Sequence, residues 1–283
     1  MYSPPTDPAD QQRMRRAFAR SAETLGVTIA GPEVWGWHGR TLSSRAEHTA
    51  RGSCWLRLLS APQEKAAGKL WDGNRLAAAL FDGHIRKPLL YDVAKSSSDG
   101  RAYQAELHQY ITEPAASQGP VLRTELDPPD AWWYSLRTDL EHVNAVTADR
   151  VAVRQEWVDR SVPRFLDMPG PQITDWATAH GDMHTANLTS TSPYLLDWEG
   201  FGLAPVGYDA AMLLAYSLLA PAFAHQVRAI FPVLTTEPGR VAQIIVITEL
   251  LQSVSRGDHP ELAPALRRLA AQLASPTLKD VTP

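Results

Sequence analysis

One stretch of the sequence brings three oxygen-bearing side chains together within a short span. Residues 179–188 read AHGDMHTANL, and residues 195–199 follow as LLDWE. The three side chains are those of Asp182, Asn187 and Asp197, and the turn formers and short apolar pairs between them predict a loop that leads into a small hairpin. A loop that carries Asp182 can thus turn into a strand pair whose far end presents Asp197.

This set of side chains suits phosphoryl transfer. The transition state of that reaction needs little covalent help, so an enzyme mainly positions groups and neutralises charge. One carboxylate must orient the attacking hydroxyl and take its proton, and Asp182 fits that role. Two hard oxygen ligands must hold magnesium, and Asn187 and Asp197 fit that role.

The pattern HGDxHxxN, followed by LDWE, resembles the catalytic and metal-binding segments of the aminoglycoside phosphotransferase family. The resemblance implies an α+β, bilobal, protein-kinase-like fold with a small antiparallel-sheet N-terminal lobe and a larger, mostly helical C-terminal lobe. It also implies ATP or GTP as co-substrate and Mg²⁺ as cofactor. Under this resemblance Asp182 is the catalytic base, and Asn187 and Asp197 are the magnesium ligands.

Three further residues take supporting roles under the same resemblance, and a fourth, Glu199, is a candidate because it lies two residues after Asp197. His180 shapes the catalytic loop and His184 braces it. Residues 205–209 read PVGYD, and Asp209 matches an aspartate that ties the catalytic loop down through its backbone. Glu199 either contacts a second magnesium ion or caps the loop that follows, and the sequence favours neither role.

The first part of the chain predicts a helix and then a sheet. Residues 9–25 have amphipathic helical spacing, and residues 33–37, 42–48 and 53–59 are short extended stretches. In a kinase-like lobe the first turn of the sheet covers the nucleotide phosphates, and here that turn contains Gly36 and Gly39. A plain hairpin explains these two glycines equally well.

The third extended stretch carries Arg57 where the related fold places a phosphate-holding lysine. Arginine can hold phosphate with its planar fork, but it differs in shape from a compact ammonium group. The related fold takes the acidic partner of this cation from the following helix. Asp72 is the first candidate for that partner, and Glu64 is the second.

Two other functions remain open from the sequence. His180, Asp182 and His184 alternate along the chain and are able to bind zinc or iron in a metal-dependent hydrolase, although Asn187 and Asp197 then have no role. A catalytically inactive, kinase-like protein that binds a nucleotide or a partner is the other alternative, which Arg57 and the small number of glycines favour.

Length and composition bound the remaining properties. The chain has 283 residues, 44% of them hydrophobic, a net charge of −4 and a single cysteine. These values predict a cytoplasmic protein without disulfides, nucleic-acid partner or membrane span. We expect an N-terminal nucleotide-binding lobe over residues 1–110 and a helical catalytic and substrate-binding lobe over residues 111–283, with helical spacing beginning at residues 130–144.

The sequence therefore predicts an ATP- or GTP-dependent O-phosphotransferase. Its acceptor is expected to be a hydroxyl of a small molecule, with an aminoglycoside or another antibiotic, and hence antibiotic resistance, as one option. The acceptor, the preferred nucleotide and the oligomeric state stay open at this point.

Overall fold

A computed structural model describes residues 3–36 and 38–274 of the chain. The chain divides into two compact units, Met1–Thr112 (unit 1) and Glu113–Pro283 (unit 2).

The described residues form helices and strands in both units. The strands are β1 (Val27–Ile29), β2 (Val34–Trp35), β3 (Thr41–His48), β4 (Gly52–Pro62), β5 (Leu90–Ser98), β6 (Arg101–Gln109), β7 (Trp176–Ala179) and β8 (Gly202–Pro205). The helices are α1 (Pro8–Thr24), α2 (Lys69–Phe81), α3 (Asp130–Ala145), α4 (Gln155–Leu166), α5 (Tyr208–Tyr216), α6 (Pro221–Ile230), α7 (Glu237–Ser255) and α8 (Ala263–Ala274). None of the helices in this described part is long and apolar enough to cross a membrane.

Unit 1 is built on a six-stranded antiparallel sheet. Its strand order is β1-β3-β4-β6-β5, and β2 pairs with β3 outside that path. One face of the sheet is apolar and packs against the stripe of α1 that contains Met14 and Phe18. Asp7 caps α1 by accepting a hydrogen bond from the backbone N–H of Ala9, and Pro8 suits the first helical turn.

The opposite face of this sheet is polar. Arg57 on β4 lies directly across from Ser43 on β3 and from Glu106 on β6. Because opposed residues in an antiparallel sheet point to the same side, these three side chains form one row. Helix α2 lies beside this face, since Gln104 donates from Nε2 to the carbonyl oxygen of Trp71 at 2.8 Å.

Unit 2 consists of helices α3 to α8 and the short sheet β7-β8. The two strands run antiparallel, and Ala179 pairs with Gly202 at the end of the ladder. The chain between these two residues is therefore held at both ends by the same pair of strands. It contains the loop and hairpin that the sequence singled out.

Candidate active site

Residues 180–188, which the sequence predicts to be catalytic, are called the catalytic loop, and a buried carboxylate fixes the backbone at its start. Asp209, in the first turn of α5, accepts hydrogen bonds from the backbone N–H groups of His180 at 2.7 Å and Gly181 at 2.9 Å. Burial raises the pKa of Asp209, although the charge of His180 and the two N–H donors act in the opposite direction. The two oxygens of this carboxylate thus bind successive residues and set the direction in which the chain leaves β7.

The His180 ring connects the two halves of the loop. Its Nε2 lies 2.8 Å from the carbonyl oxygen of Leu196, and its Nδ1 accepts from the backbone N–H of Asp182 at 3.3 Å. Because Nδ1 accepts this hydrogen bond, Nε2 carries a ring proton and donates it to the carbonyl oxygen of Leu196. The ring edge also packs on Trp198, with centroids 4.6 Å apart.

These contacts argue against the metal-dependent hydrolase. Both ring nitrogens of His180 are bonded to backbone groups, so neither offers a lone pair to zinc or iron. Within residues 3–36 and 38–274, no group of three or more His, Cys, Asp or Glu side chains is arranged to hold a metal ion.

Asp182 presents its carboxylate in an ionised and partly accessible state. Its side chain is 43% exposed, and His184 Nε2 lies 3.6 Å from Oδ1. Crowding by protein atoms would raise the pKa of Asp182, but the charges of His184 and His180 and the hydrogen bond from Asn187 outweigh it and lower the pKa. A carboxylate of this kind can accept a hydrogen bond from a hydroxyl and orient it.

Asn187 is anchored to Asp182 by its amide nitrogen. Nδ2 lies 2.9 Å from the backbone oxygen of Asp182 and 3.2 Å from its Oδ2. Both of these atoms are acceptors, so the nitrogen of the amide must face them. The oxygen Oδ1 of Asn187 points away from these acceptors and is the atom available to a hard cation.

A short hairpin then carries the chain to Asp197. Leu188 and Leu195 form an antiparallel bridge, and the N–H of Leu196 donates to the carbonyl oxygen of Asn187 at 2.9 Å. Asp197 follows at once with φ of 58°, a left-handed conformation that few residues other than glycine adopt. The hairpin therefore ends in a sharp turn at the second predicted ligand.

Gly181 permits close contact between the catalytic loop and the turn after Asp197. Its φ is +83°, and a Cβ placed on it would lie 2.4 Å from the carbonyl oxygen of Gly200. A side chain at this position would be both strained and in collision with backbone. The glycine thus packs the segment that begins with Asp182 against the segment that contains Glu199.

Arg150 supports the same turn, and the sequence reasoning missed it. Its Nη2 donates to the carbonyl oxygen of Glu199 at 3.0 Å, and its guanidinium lies 4.2 Å from the ring centroid of Phe201. The contact joins residues 49 positions apart. No local sequence pattern predicts a contact between residues so far apart. The sequence feature that could have drawn attention to Arg150 is its charge directly before the apolar residues 151–153.

In unit 1, Arg57 has a different acidic partner from the one predicted. Its Nη1 lies 3.2 Å from Oε2 of Glu106, and this glutamate side chain is 1% exposed. Asp72 instead bonds to Arg75 at 3.4 Å, one helical turn further along α2, and Glu64 is exposed. The prediction of Asp72 as partner was wrong because the cross-strand register, and not the following helix, delivers the acid to Arg57.

Gly36 and Gly39 lie in the turn that joins β2 to β3. Gly39 donates from its N–H to the carbonyl oxygen of Gly36 at 3.0 Å, and the N–H of Gly36 donates to the carbonyl oxygen of Thr41, also at 3.0 Å. A Cβ on Gly36 would lie 1.9 Å from Thr41 Oγ1, and Gly39 has φ of +66°. Turn geometry alone therefore accounts for both glycines, and Trp37 between them lies outside the described residues.

A sheet unit with an arginine–glutamate pair, followed by a helical unit with the predicted Asp–Asn loop, is the arrangement expected of a kinase-like phosphotransferase. Comparison with protein-family models agrees with this class. The chain belongs to the phosphotransferase enzyme family (APH), whose model matches residues 101–244, just over half of the chain. No curated protein matches this chain significantly.

Several solved structures share the fold at low sequence identity. A thermostable mutant of the aminoglycoside phosphotransferase APH(4)-Ia, in a ternary complex with ADP and hygromycin B, is 13% identical, with a TM-score of 0.59 over 92% of this chain and 99% of that one. The amicoumacin kinase hAmiN, in complex with AMP-PNP, Ca²⁺ and Ami, is 11% identical, with a TM-score of 0.53 over 95% of this chain and 94% of that one. A putative fructosamine-3-kinase from Haemophilus somnus is also 11% identical, with a TM-score of 0.56 over 93% and 99%.

These findings confirm the resemblance, the kinase-like α+β fold class and the assignment as a phosphotransferase enzyme.

Proposed function

We propose that this enzyme transfers the γ-phosphoryl group of ATP or GTP to a hydroxyl of a small molecule in a magnesium-dependent reaction. The observation that carries the proposal is the Asn187 amide, whose nitrogen bonds to the backbone oxygen and the carboxylate of Asp182, which leaves the amide oxygen as the atom that would contact a cation. A base and a metal ligand are thereby coupled in a single side-chain contact. Family membership supports the same class of reaction.

In the proposed reaction Asp182 orients the acceptor hydroxyl through a hydrogen bond and takes its proton. The hydroxyl oxygen forms the new bond to the γ-phosphorus while the bond to the β–γ bridging oxygen breaks, so the products are the phosphorylated acceptor and a nucleoside diphosphate. The low pKa of Asp182 makes it a weak base. Such a base suffices when bond breaking is well advanced in the transition state, because the proton then leaves late.

Asn187 and Asp197 are the proposed magnesium ligands. An amide oxygen and a carboxylate are hard donors of the kind that Mg²⁺ prefers, so the residues present fit the ion. When bound, magnesium would neutralise charge on the phosphate oxygens. Glu199 remains a secondary candidate ligand, and the bond from Arg150 to its backbone oxygen leaves its carboxylate outside that contact.

The remaining proposed roles concern loop support and the nucleotide. His180, His184 and Asp209 hold the catalytic loop, and their contacts described above support that role. In unit 1, Arg57 is the proposed phosphate-holding residue, with Gly36 and Gly39 in the turn beside the same sheet. We accordingly propose residues 1–110 as the nucleotide-binding lobe and residues 111–283 as the catalytic and substrate-binding lobe.

Hydroxylated antibiotics are the first acceptors to test. Two of the similar structures are of an aminoglycoside phosphotransferase and an amicoumacin kinase, and a third is named as a putative fructosamine-3-kinase. A panel of aminoglycosides and amine-bearing sugars therefore covers the proposed acceptors. We propose the cytoplasm as the place of action, because the reaction consumes ATP or GTP, and antibiotic resistance or self-protection as the role if an antibiotic is turned over.

The first experiment is thermal unfolding with ATP or GTP, each with and without Mg²⁺. A ligand that binds only the folded state raises the melting temperature by mass action, so we expect a magnesium-dependent rise. The same mixtures are then assayed for nucleoside diphosphate release with each acceptor. A nucleotide-dependent rise without turnover of any acceptor would favour the inactive, nucleotide-binding alternative.

Asp182→Asn tests the proposed base. The change removes the charge but keeps the shape, and general-base loss lowers kcat by roughly 10²- to 10⁴-fold, while we expect the nucleotide-induced rise in melting temperature to remain. Asp159→Asn, at an exposed position on α4, is the control. Full activity of the Asp182 variant would refute the assignment. Asp197→Asn, in contrast, is expected to raise the magnesium requirement as well.

A further inference from the structure

Four side chains converge on the buried carboxylate of Glu106. Oε2 receives Arg57 Nη1 at 3.2 Å and Asn74 Nδ2 at 2.8 Å, and His108 Nε2 lies 3.3 Å from the same oxygen. Gln104 Nε2 donates to Oε1 at 2.9 Å. A fully buried carboxylate is costly unless it is paired and hydrogen-bonded, and this one meets both conditions.

In this cluster the acidic partner of Arg57 lies on a strand, whereas the resemblance predicts an acid on the following helix. There, the acid that pairs with the phosphate-holding cation comes from the helix after the third strand. In this chain α2 contributes the side chain of Asn74, a neutral amide, to the carboxylate of Glu106. The acid comes from β6, directly opposite Arg57 in the strand register.

The charge on Glu106 is permanent in the neutral range. Burial opposes ionisation, but hydrogen bonds and charges from His108, Arg57 and Asn74 lower the pKa of Glu106 to about 2. The carboxylate is therefore ionised at neutral pH and acts as a counter-ion to Arg57. A guanidinium that is only 11% exposed needs such a partner to keep one orientation.

A second buried cation in the described part of unit 1, Lys87, is bonded to groups outside the Glu106 cluster. Lys87 is 3% exposed at its side chain and bonds to Asp82 and, at 2.9 Å, to the carbonyl oxygen of Pro88. Burial lowers the pKa of Lys87 despite the opposing contribution of Asp82. Arg57, the more accessible of the two, is the better candidate for phosphate contact.

We propose that Glu106 is the positioning residue that holds Arg57 in its phosphate-binding orientation, in place of an acid on helix α2. This inference rests on the proposed nucleotide-dependent function. Glu106 acts through Arg57 and does not itself touch the nucleotide. The expected consequence is that nucleotide affinity depends on a negative charge at this cluster.

The test measures binding of a non-hydrolysable ATP analogue with Mg²⁺ by calorimetry, together with KM and kcat. For Glu106→Gln we expect a dissociation constant and a KM for ATP at least about tenfold higher, with a smaller change in kcat. Arg57→Ala should show a similar loss. In the double variant the loss should be no greater than in Arg57→Ala alone, because Glu106 acts through Arg57.

Glu47→Gln is the matched control. Glu47 lies on the neighbouring strand β3 and pairs with Arg45 at 3.1 Å, but it is 43% exposed and outside the cluster. The same chemical change is thus made at another arginine-paired glutamate of the sheet. We expect wild-type nucleotide affinity.

A variant in which the negative charge is moved to residue 74 tells whether Glu106 acts by orienting Arg57 or only by filling space. Asn74 and Arg57 contact the same oxygen of Glu106, so Asn74→Asp combined with Glu106→Gln moves the charge from strand to helix without a change of volume. We expect this double variant to recover at least about half of the affinity lost, on a logarithmic scale, in Glu106→Gln. If Glu106→Gln does not fold, the test uses only the double variant Asn74→Asp, Glu106→Gln. A folded double variant that has lost all affinity for the ATP analogue would overturn the proposal.

The outcomes distinguish this inference from the proposed function. If the wild-type enzyme binds no nucleotide, the proposed function and the positioning role of Glu106 are both wrong. If it binds nucleotide and Glu106→Gln binds equally well, or if the losses in Glu106→Gln and Arg57→Ala add, Glu106 does not act through Arg57. The proposed function would then stand and the positioning role would be wrong.

Discussion

The low pKa of Glu106 predicts a measurable loss of stability in acid that Glu106→Gln abolishes. The group has a pKa of about 2 in the folded protein and an ordinary value of 4.5. Because folding lowers this pKa, its contribution to stability is present above pH 4.5 and is lost as the pH falls toward 2. The charges that face it are those of Arg57, His108 and, further away, Lys87.

The magnitude follows from the two pKa values. A difference of 2.5 units between 4.5 and 2 corresponds to about 3 kcal/mol of unfolding free energy in total. Linkage places about 2 kcal/mol of this loss above pH 3, since the unfolded state takes up its proton first. We therefore expect the wild-type protein to lose about 2 kcal/mol more than Glu106→Gln between pH 6 and pH 3.

Urea unfolding at a series of pH values measures this difference. Urea is preferred to guanidinium chloride, because an ionic denaturant would screen the charges under study. Carboxylates far from the Glu106 cluster have the same surroundings in both proteins, so their contributions cancel in the comparison. Parallel stability curves for wild type and variant over this range would refute the assignment of a buried, permanently ionised Glu106.

Three further predictions concern the catalytic loop of unit 2. Asp209→Asn replaces one acceptor oxygen by a donor that faces a backbone N–H, so we expect kcat to fall at least about tenfold, measured by diphosphate release. Gly181→Ala forces a side chain against the carbonyl oxygen of Gly200, so we expect loss of about 2 kcal/mol or more of unfolding free energy in urea, together with lower kcat. Arg150→Met removes the bond to the backbone of Glu199, so we expect a higher magnesium requirement at nearly unchanged KM for ATP, seen in a magnesium titration of the rate.

Controls exist for these changes. Gly52 has φ of +71°, and a Cβ added there would meet nothing within 4 Å, so Gly52→Ala reports backbone strain without collision. An equal effect of Gly52→Ala and Gly181→Ala would show that the contact with Gly200 has no importance. For Arg150, the control is Arg150→Lys. An unchanged magnesium requirement in this variant would show that the positive charge, and not the shape of the guanidinium group, supports the turn.

The elements that sequence reasoning predicted well are those whose information is local. Residues 9–25 and 130–144 gave helices that the structure places at Pro8–Thr24 and Asp130–Ala145. The catalytic loop is similarly local, since Asp182 and Asn187 are five positions apart and contact each other directly. Spacing and side-chain chemistry therefore sufficed to select them as candidates.

The elements that sequence reasoning missed depend on distant contacts. Glu106 is 49 positions from Arg57, and only the register of β4 against β6 brings them together. Asp72 had the expected charge on the expected helix, but its side chain turns to Arg75 on the same helix. An acid close in sequence was thus preferred to one that is close in space.

The Arg57–Glu106 pair also bears on the alternative hypothesis that this protein is a catalytically inactive, kinase-like protein. That alternative drew on arginine in place of lysine, which looked like the loss of a phosphate-holding residue. In the structure Arg57 has a buried counter-ion on the adjacent strand, while α2 supplies an amide to the same carboxylate. Arg57 therefore has an acidic partner although Asp72 on α2 turns to Arg75, because β6 provides the acid. Arginine at this position therefore gives no support to the inactive alternative, because the cation and a buried counter-ion are both present.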